Sequence, residues 1–175
     1  MADDVVFTTV HGSRLYGFAH EASDFDTFTV DLSRSIKTRQ TIDDDGNDRV
    51  RVGLWHFLDL ATSGSHQSVE ALFSPVKEWG PAADQYRPML EHMHIGGGDV
   101  TSKYERTIRR FAHGDFKRRR HAVRLALNLE DLRFSGRVTS VRLSPWRAAH
   151  CADLATKFEG DALARRLNVM KEHDG

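Results

Sequence analysis

Val5-Val6-Phe7-Thr8-Thr9-Val10 is a run of β-branched and aromatic residues that ends in His11-Gly12-Ser13, and ten residues later Asp24-Phe25-Asp26-Thr27-Phe28-Thr29-Val30-Asp31 alternates polar and apolar side chains. The first run reads as a buried strand closed by a tight turn, with a short helix following through Leu15, Tyr16 and Phe18. The second, over residues 25–31, reads as another strand. Strand side chains repeat every two residues, so Asp24 and Asp26 are expected to project from one face at its start.

Outward from this stretch, residues 36–42 and 49–54 read as two further strands joined by Asp43-Asp44-Asp45-Gly46-Asn47-Asp48, where Asp-Gly is a strong hairpin signal. A four-stranded sheet is expected. From His56 the apolar period becomes helical through Phe57, Leu58, Leu60 and Ala61, then Val69, Ala71, Leu72 and Phe73, with a break near Gly64. Pro75 and Gly80-Pro81 mark a boundary between a mixed α/β core (residues 1–75) and a helical portion (residues 82–170) packed on it. Helices are expected at 83–93, 100–113, 115–133 and 143–166, with Asp99 or Thr101 as an N-cap after Gly96-Gly97-Gly98 and Gly136 as a stop. Residues 171–175 read as a frayed end. The fold class is α+β: a small mixed sheet with helices, followed by a helical C-terminal portion.

Composition narrows the classes further. The 175 residues are 39% hydrophobic and 29% charged with 4 Pro, which excludes a disordered or fibrous chain. No run approaches the ~18 apolar residues needed to span a bilayer, and the acidic start Met1-Ala2-Asp3-Asp4 is unlike a secretory signal, so no membrane association is expected and the location expected is the cytoplasm. The lone Cys151 sits among Ala148, Ala149, Ala152 and Leu154, the setting of a small buried hydrophobe. The net charge of zero conceals a division: residues 1–100 carry 8 basic and 16 acidic side chains, while residues 101–150 carry 13 basic and 4 acidic. Such a division suits either two packed faces or a carboxylate site opposite a basic wall for a polyanion.

The chemistry-bearing residues cluster at the two opening strands. Gly12 lets the backbone pass close to a bulky anion, and the Ser13 hydroxyl can bond phosphate oxygens. Asp24 and Asp26 are hard oxygen ligands suited to a pair of Mg²⁺ ions, with Mn²⁺ as an alternative, bridging to a nucleoside triphosphate. On the third helix of the C-terminal portion, Lys117, His121, Arg124 and Asn128 fall at spacings of four, three and four, one polar stripe beside the apolar stripe Ala122, Leu125, Leu129 and Leu132. That stripe can face the acids and hold a triphosphate. His11 is a further candidate beside the turn. The Asp43–Asp45 run lacks the ligand spacing of a calcium loop and reads as a hairpin tip, and His92 and His94 read as surface residues. Phe116 with Lys117-Arg118-Arg119-Arg120 could meet nucleic-acid phosphates.

The Gly12-Ser13 turn followed by Asp24-x-Asp26 resembles the signature of the DNA polymerase β-like nucleotidyltransferase superfamily, and Gly12-Ser13-Arg14-Leu15-Tyr16-Gly17 resembles its small bacterial and phage branch in particular. The likeness extends over residues 7–136, through a helix ending in Glu70-Ala71-Leu72-Phe73 and a Lys-x₃-His-x₂-Arg helix matched by Lys117, His121 and Arg124. It implies a third carboxylate on a later strand, for which Asp48 is the choice, with Asp31 and Asp59 as alternatives. It also implies transfer of a nucleoside monophosphate from an NTP to a hydroxyl on an RNA 3′ end, a protein side chain or a small molecule, releasing pyrophosphate. In that reading Asp24, Asp26 and Asp48 are catalytic, and Gly12, Ser13, Lys117, His121 and Arg124 bind the nucleotide. The rival expectations are a catalytically silent module that binds nucleic acid or protein through its basic half, and a toxin–antitoxin component that modifies a partner protein.

Overall fold

The computed structural model describes residues 3–169. Its elements in chain order are β1 (Val5–Val10), α1 (Gly12–Tyr16), β2 (Thr27–Asp31), β3 (Arg39–Ile42), β4 (Asp48–Gly53), α2 (Leu54–Thr62), α3 (His66–Leu72), β5 (Glu78–Trp79), α4 (Arg87–His92), α5 (Gly98–Ala112), α6 (Phe116–Ser135), α7 (Pro145–Lys157) and α8 (Gly160–Arg166). The α+β class with a helical C-terminal part is the architecture observed.

The sheet has five strands rather than four, in the order β3-β4-β2-β1-β5. The extra strand, β5, has only two residues, which is too short for a periodicity signal, and it pairs antiparallel with Phe7 and Thr8 of β1. The pairing of β2 with β4 is parallel and the rest is antiparallel. β2 begins at Thr27, so Asp24 and Asp26 lie in the segment leading into it rather than on the strand expected over 25–31. That segment is held by other means, described below.

One face of the sheet is apolar and the other carries threonines and arginines, the alternation that antiparallel sheets allow when one side meets water. Phe7, Phe28, Val30 and Val52 are buried under α2, where Phe57 packs edge-on against Phe7 with ring centroids 5.5 Å apart and against Phe28 at 6.0 Å. α5 adds Val100, Tyr104, Ile108 and Ala112 at four-residue spacing, a single stripe toward α6. α6 is buried on a wider arc, from Ala122 to Leu132, because it packs against both α5 and α7. Its start is fixed by Asp115, whose carboxylate accepts from the Arg118 amide at 2.8 Å, and its end by Gly136 in the left-handed region at φ 69°.

Several helix limits differ from the periodicity. The span expected at 143–166 is two helices, because Phe158 is extended and Gly160 turns back at φ 54°. α4 covers only Arg87–His92 of the expected 83–93, and α5 is capped by Gly97 rather than by Asp99 or Thr101. Cys151 is buried and His92 and His94 are exposed. Residues 171–175 lie outside those described. No helix of the described residues is long and apolar enough to cross a membrane.

Phe57 is fully buried against two other rings, so Phe57→Ala should cost about 3–5 kcal/mol through lost transfer energy and a cavity. Urea unfolding checks this: the midpoint should fall while the slope stays constant.

Candidate active site

The Gly12-Ser13 turn touches the acidic pair. Gly12 has φ +65°, a backbone angle that favours glycine, and a side chain placed there would have to push Oδ2 of Asp26 aside. The His11 amide donates to the Asp26 carbonyl at 2.9 Å, which fixes the turn to the segment before β2. Arg14, one turn into α1, clamps the same segment from outside: its Nε donates to the Asp24 carbonyl at 3.0 Å and its Nη2 to the Ser23 carbonyl at 2.6 Å. Asn47 at the hairpin tip holds the middle, accepting from the Phe25 amide at 2.7 Å. Asp43 in turn accepts from the Asn47 amide and from Arg49, and these bonds hold its carboxyl down at about 2. The Asp-rich tip therefore positions the acidic segment, a role its composition does not reveal.

The parallel register of β2 and β4 brings the third acid into place. Thr27 pairs with Arg49, so Asp48 arrives beside Asp26, and its amide donates to Asp26 Oδ1 at 2.9 Å. Asp48 Oδ2 accepts from Gln40 at 2.6 Å, while Oδ1 is buried with no partner. Asp24, Asp26 and Asp48 line one cavity of about 260 Å³, together with Gly12, Ser13, Lys117, His121 and Arg124. Asp31 and Asp59 do not line it: Asp31 is bonded to Ser33 and Arg51, and Asp59 is exposed on α2.

These donors fit a hard divalent cation. Two carboxylates open to the cavity and an unspent Asp48 oxygen beside them are oxygen ligands of the right kind. Among the described residues no three His, Cys, Asp or Glu side chains stand close enough to enclose an ion alone. Mg²⁺ usually takes one or two carboxylates and completes its shell with water and substrate phosphates.

The opposite wall rests on a buried network. Glu70 of α3 is 0% exposed and Arg124 of α6 is 1% exposed, and Arg124 Nη1 meets Glu70 Oε1 at 2.5 Å. Asn128 donates to the same oxygen at 3.1 Å, and the Tyr16 hydroxyl donates to Oε2 at 2.7 Å. The guanidinium also lies 3.6 Å from the centroid of the Tyr16 ring. Burial pushes the Glu70 carboxyl up, but the Arg124 charge, joined by His66, the Tyr16 hydrogen bond and His11, outweighs it and holds it below the usual range. Burial and the Glu70 charge push the Tyr16 hydroxyl well above its ordinary value, so it remains a donor.

Arg124 was expected to hold a triphosphate, and it does line the cavity, but its Nη1 is committed to Glu70 and its Nε donates to His121 Nδ1 at 3.4 Å. A guanidinium only donates, so Nδ1 of His121 is the acceptor and its proton sits on Nε2. Burial first, then the Arg124 charge, lowers the His121 imidazole to about 3. His11, which also lines the cavity, is lowered mainly by burial, and its Nδ1 has no partner. Lys117 is exposed at the rim.

Sequence reasoning missed His66, Gln67 and Phe111 in this cavity, and Glu70 beneath it. Glu70 carried a signal, since an acid facing an apolar helix stripe demands a cation. Gln67 and Phe111 carried none, because only the packing of α3 on α5 brings them together.

The mixed sheet, the glycine-serine turn set against an acidic pair and the basic helix opposite define the class of polymerase β-like nucleotidyltransferase folds. The chain belongs to the RNA repair pathway DNA polymerase beta family, whose model matches residues 2–175. A comparison with curated proteins found no match.

Removing Glu70 alone leaves Arg124 buried and unpaired, so Glu70→Ala should cost about 3–5 kcal/mol, whereas Glu70→Leu with Arg124→Met should recover most of it. Urea unfolding of the three chains checks the order. The three cavity histidines His11, His66 and His121 all lie below their ordinary value of 6.5 in the folded protein. The unfolded chain therefore binds more protons as pH falls below 6.5, and stability drops by about 1.4 kcal/mol per pH unit for each proton taken up only on unfolding. Melting temperature should fall between pH 7 and pH 5, and His121→Asn should flatten that slope.

Proposed function

We propose that the chain is a Mg²⁺-dependent nucleotidyltransferase that moves a nucleoside monophosphate from an NTP to a hydroxyl at an RNA end and releases pyrophosphate. The observation that carries this reading is the cavity in which the Gly12 turn abuts Asp26 while Asp24 and Asp48 face Lys117 and His121. A pure binding module has no evident use for an unspent, buried Asp48 oxygen beside two open carboxylates.

In this mechanism the acceptor oxygen forms a bond to the α-phosphorus as the bond to pyrophosphate breaks. Asp24 and Asp26 would hold the divalent cations, whose chemistry there would be to acidify the acceptor hydroxyl and offset the phosphate charge. Asp48 Oδ1, the unpartnered oxygen, takes the hydroxyl proton. The Ser13 hydroxyl donates to a phosphate oxygen, and Gly12 leaves room for it. His121 donates through Nε2, in a tautomer set by Arg124, and the Lys117 ammonium balances the charge that develops on pyrophosphate. Arg124 thus acts through His121 and Glu70 from beneath the cavity floor.

The acceptor is read as RNA on two grounds. The family is described as belonging to an RNA repair pathway. Next in sequence to Lys117 of the cavity, Phe116 is 43% exposed, and the Arg120 guanidinium lies 5.7 Å from its ring and 4.1 Å from that of Phe18. Lys117, Arg118 and Arg120 have no carboxylate within ion-pair distance among the described residues. Cations beside an exposed ring suit phosphates and bases of a single strand.

Labelled NTPs, Mg²⁺ and an RNA with a free 3′ hydroxyl test the proposal. Label should appear on the RNA and vanish with EDTA. Asp24→Asn and Asp26→Asn should each lower transfer by at least about 100-fold, above the roughly 10–100-fold cost of losing a partner one shell further from a metal. RNA binding that persists with no transfer by the unaltered chain would overturn the RNA-acceptor reading and favour the silent binding module.

A further inference from the structure

A second cup, of about 360 Å³, opens at the other end of α3. α3 begins with His66 in the catalytic cavity and ends with Leu72 in this cup, a rise of about 9 Å along the helix axis at 1.5 Å per residue. Its polar walls are Lys77, Arg137, Ser74 and Glu91, and its aromatic walls are Phe73 and Trp79. Neither Asp24 nor any other acid of the catalytic cavity lines it.

The charges in the cup do not balance. Glu91 is already engaged by Arg87, Nε to Oε1, at 2.9 Å. Lys77 has no carboxylate within ion-pair distance among the described residues; its ammonium bonds the Leu72 carbonyl at the end of α3 and lies 5.4 Å from the Trp79 centroid and 5.7 Å from that of Phe7. Arg137 spends Nη1 on the carbonyls of Glu91 and Met93, both at 2.8 Å, and its guanidinium lies 5.1 Å from the Phe73 centroid. Its Nε and Nη2 hydrogens bond no other described group. Two cations are thus braced by carbonyls and rings at the mouth of one cup, each with donors to spare. Burial, reinforced by Arg137 and opposed by Glu91, lowers the Lys77 ammonium to about 8, a cost that an anion seated beside it would relieve.

We propose that this cup is a second ligand site, distinct from the catalytic cavity, which takes the phosphate monoester of a nucleotide through Lys77 and Arg137. A dianionic phosphate offers acceptors for the spare donors of both cations, and the cup has room for more than inorganic phosphate. The same chemistry is offered by a free nucleoside monophosphate and by the 5′-phosphorylated end of a strand. The site stands whether or not the catalytic cavity transfers nucleotides.

Fluorotryptophan labelling with ¹⁹F NMR tests it, because Trp79 lies in the cup and Trp55 and Trp146 do not. The Asp24→Asn/Asp26→Asn chain, in EDTA to suppress the catalytic cavity, is titrated with AMP, adenosine, and a dinucleotide with or without a 5′ phosphate; Trp79→Phe assigns the signal. The Trp79 resonance should shift saturably with AMP or the phosphorylated dinucleotide and not with adenosine, and the tighter of the two identifies the source. Lys77→Met, which keeps the stem against the rings, should weaken the shift at least about tenfold with the melting temperature retained. If Lys77→Met unfolds the chain, Arg137→Lys serves instead, since it keeps a charge and loses the planar fork. A Trp79 signal unmoved by either phosphate ligand, or moved equally by adenosine or in the folded variant, overturns the proposal.

Discussion

The buried ion pair between Glu70 and Arg124 is the constraint on which the rest of the molecule depends. Both groups are withdrawn from water, at a desolvation cost of several kcal/mol per ion, and they persist because both oxygens of Glu70 accept hydrogen bonds and Arg124 supplies the opposite charge. Arg124 and Asn128 donate to one oxygen of Glu70 and Tyr16 donates to the other. These four side chains come from α1, α3 and α6, so the pair joins the sheet-bearing part of the chain to the helical part at one angle and one register. Apolar packing alone would tolerate some sliding of α6 over α3. A buried charge with a single partner does not.

The cavity lined by Asp24, Asp26 and Asp48 is the outer surface of that joint. Tyr16, which anchors one side of the pair, closes the short helix that begins with the Gly12-Ser13 turn, and Arg124 sets the tautomer of His121 on the cavity wall. The acidic side is fixed by separate local means. Arg14, the His11 amide and Asn47 hold the segment before β2 by its backbone, which leaves the Asp24 carboxylate free of that task, while Asp26 spends one oxygen on the Asp48 amide and keeps the other. Positioning by main-chain atoms suits residues whose side chains must meet a ligand. Lys77 follows a similar logic at the far end of α3, where a carbonyl and two rings steady an ammonium with no carboxylate within ion-pair distance among the described residues.

Much of this was legible in the residue order. The β-branched run from Val5 to Val10, the Asp-Gly hairpin tip and the four-three-four stripe on α6 each arise from local geometry, and local geometry is what periodicity encodes. The acids at 24 and 26 were placed correctly beside the turn but on a strand that starts later, because the clamp of Arg14 and Asn47 is a tertiary effect. The two-residue β5 and the split between α7 and α8 escaped notice for related reasons. One is too short to show a period, and the other turns on a glycine whose positive φ is set by its neighbours.

The sequence by itself determined the types of most elements, the opposed charges of the two halves, and the presence of a glycine-serine turn ten residues ahead of an acidic pair, since each is a property of neighbours along the chain. The tertiary structure alone decided which third acid stands beside that pair, that Arg124 is spent on Glu70, and that Gln67, Phe111 and His66 complete the cavity. Those outcomes depend on the parallel register of β2 with β4 and on the packing of α6 against α3 and α5. Such long-range pairings are selected by the total burial and charge compensation of the folded chain, a sum to which no short stretch of sequence has access.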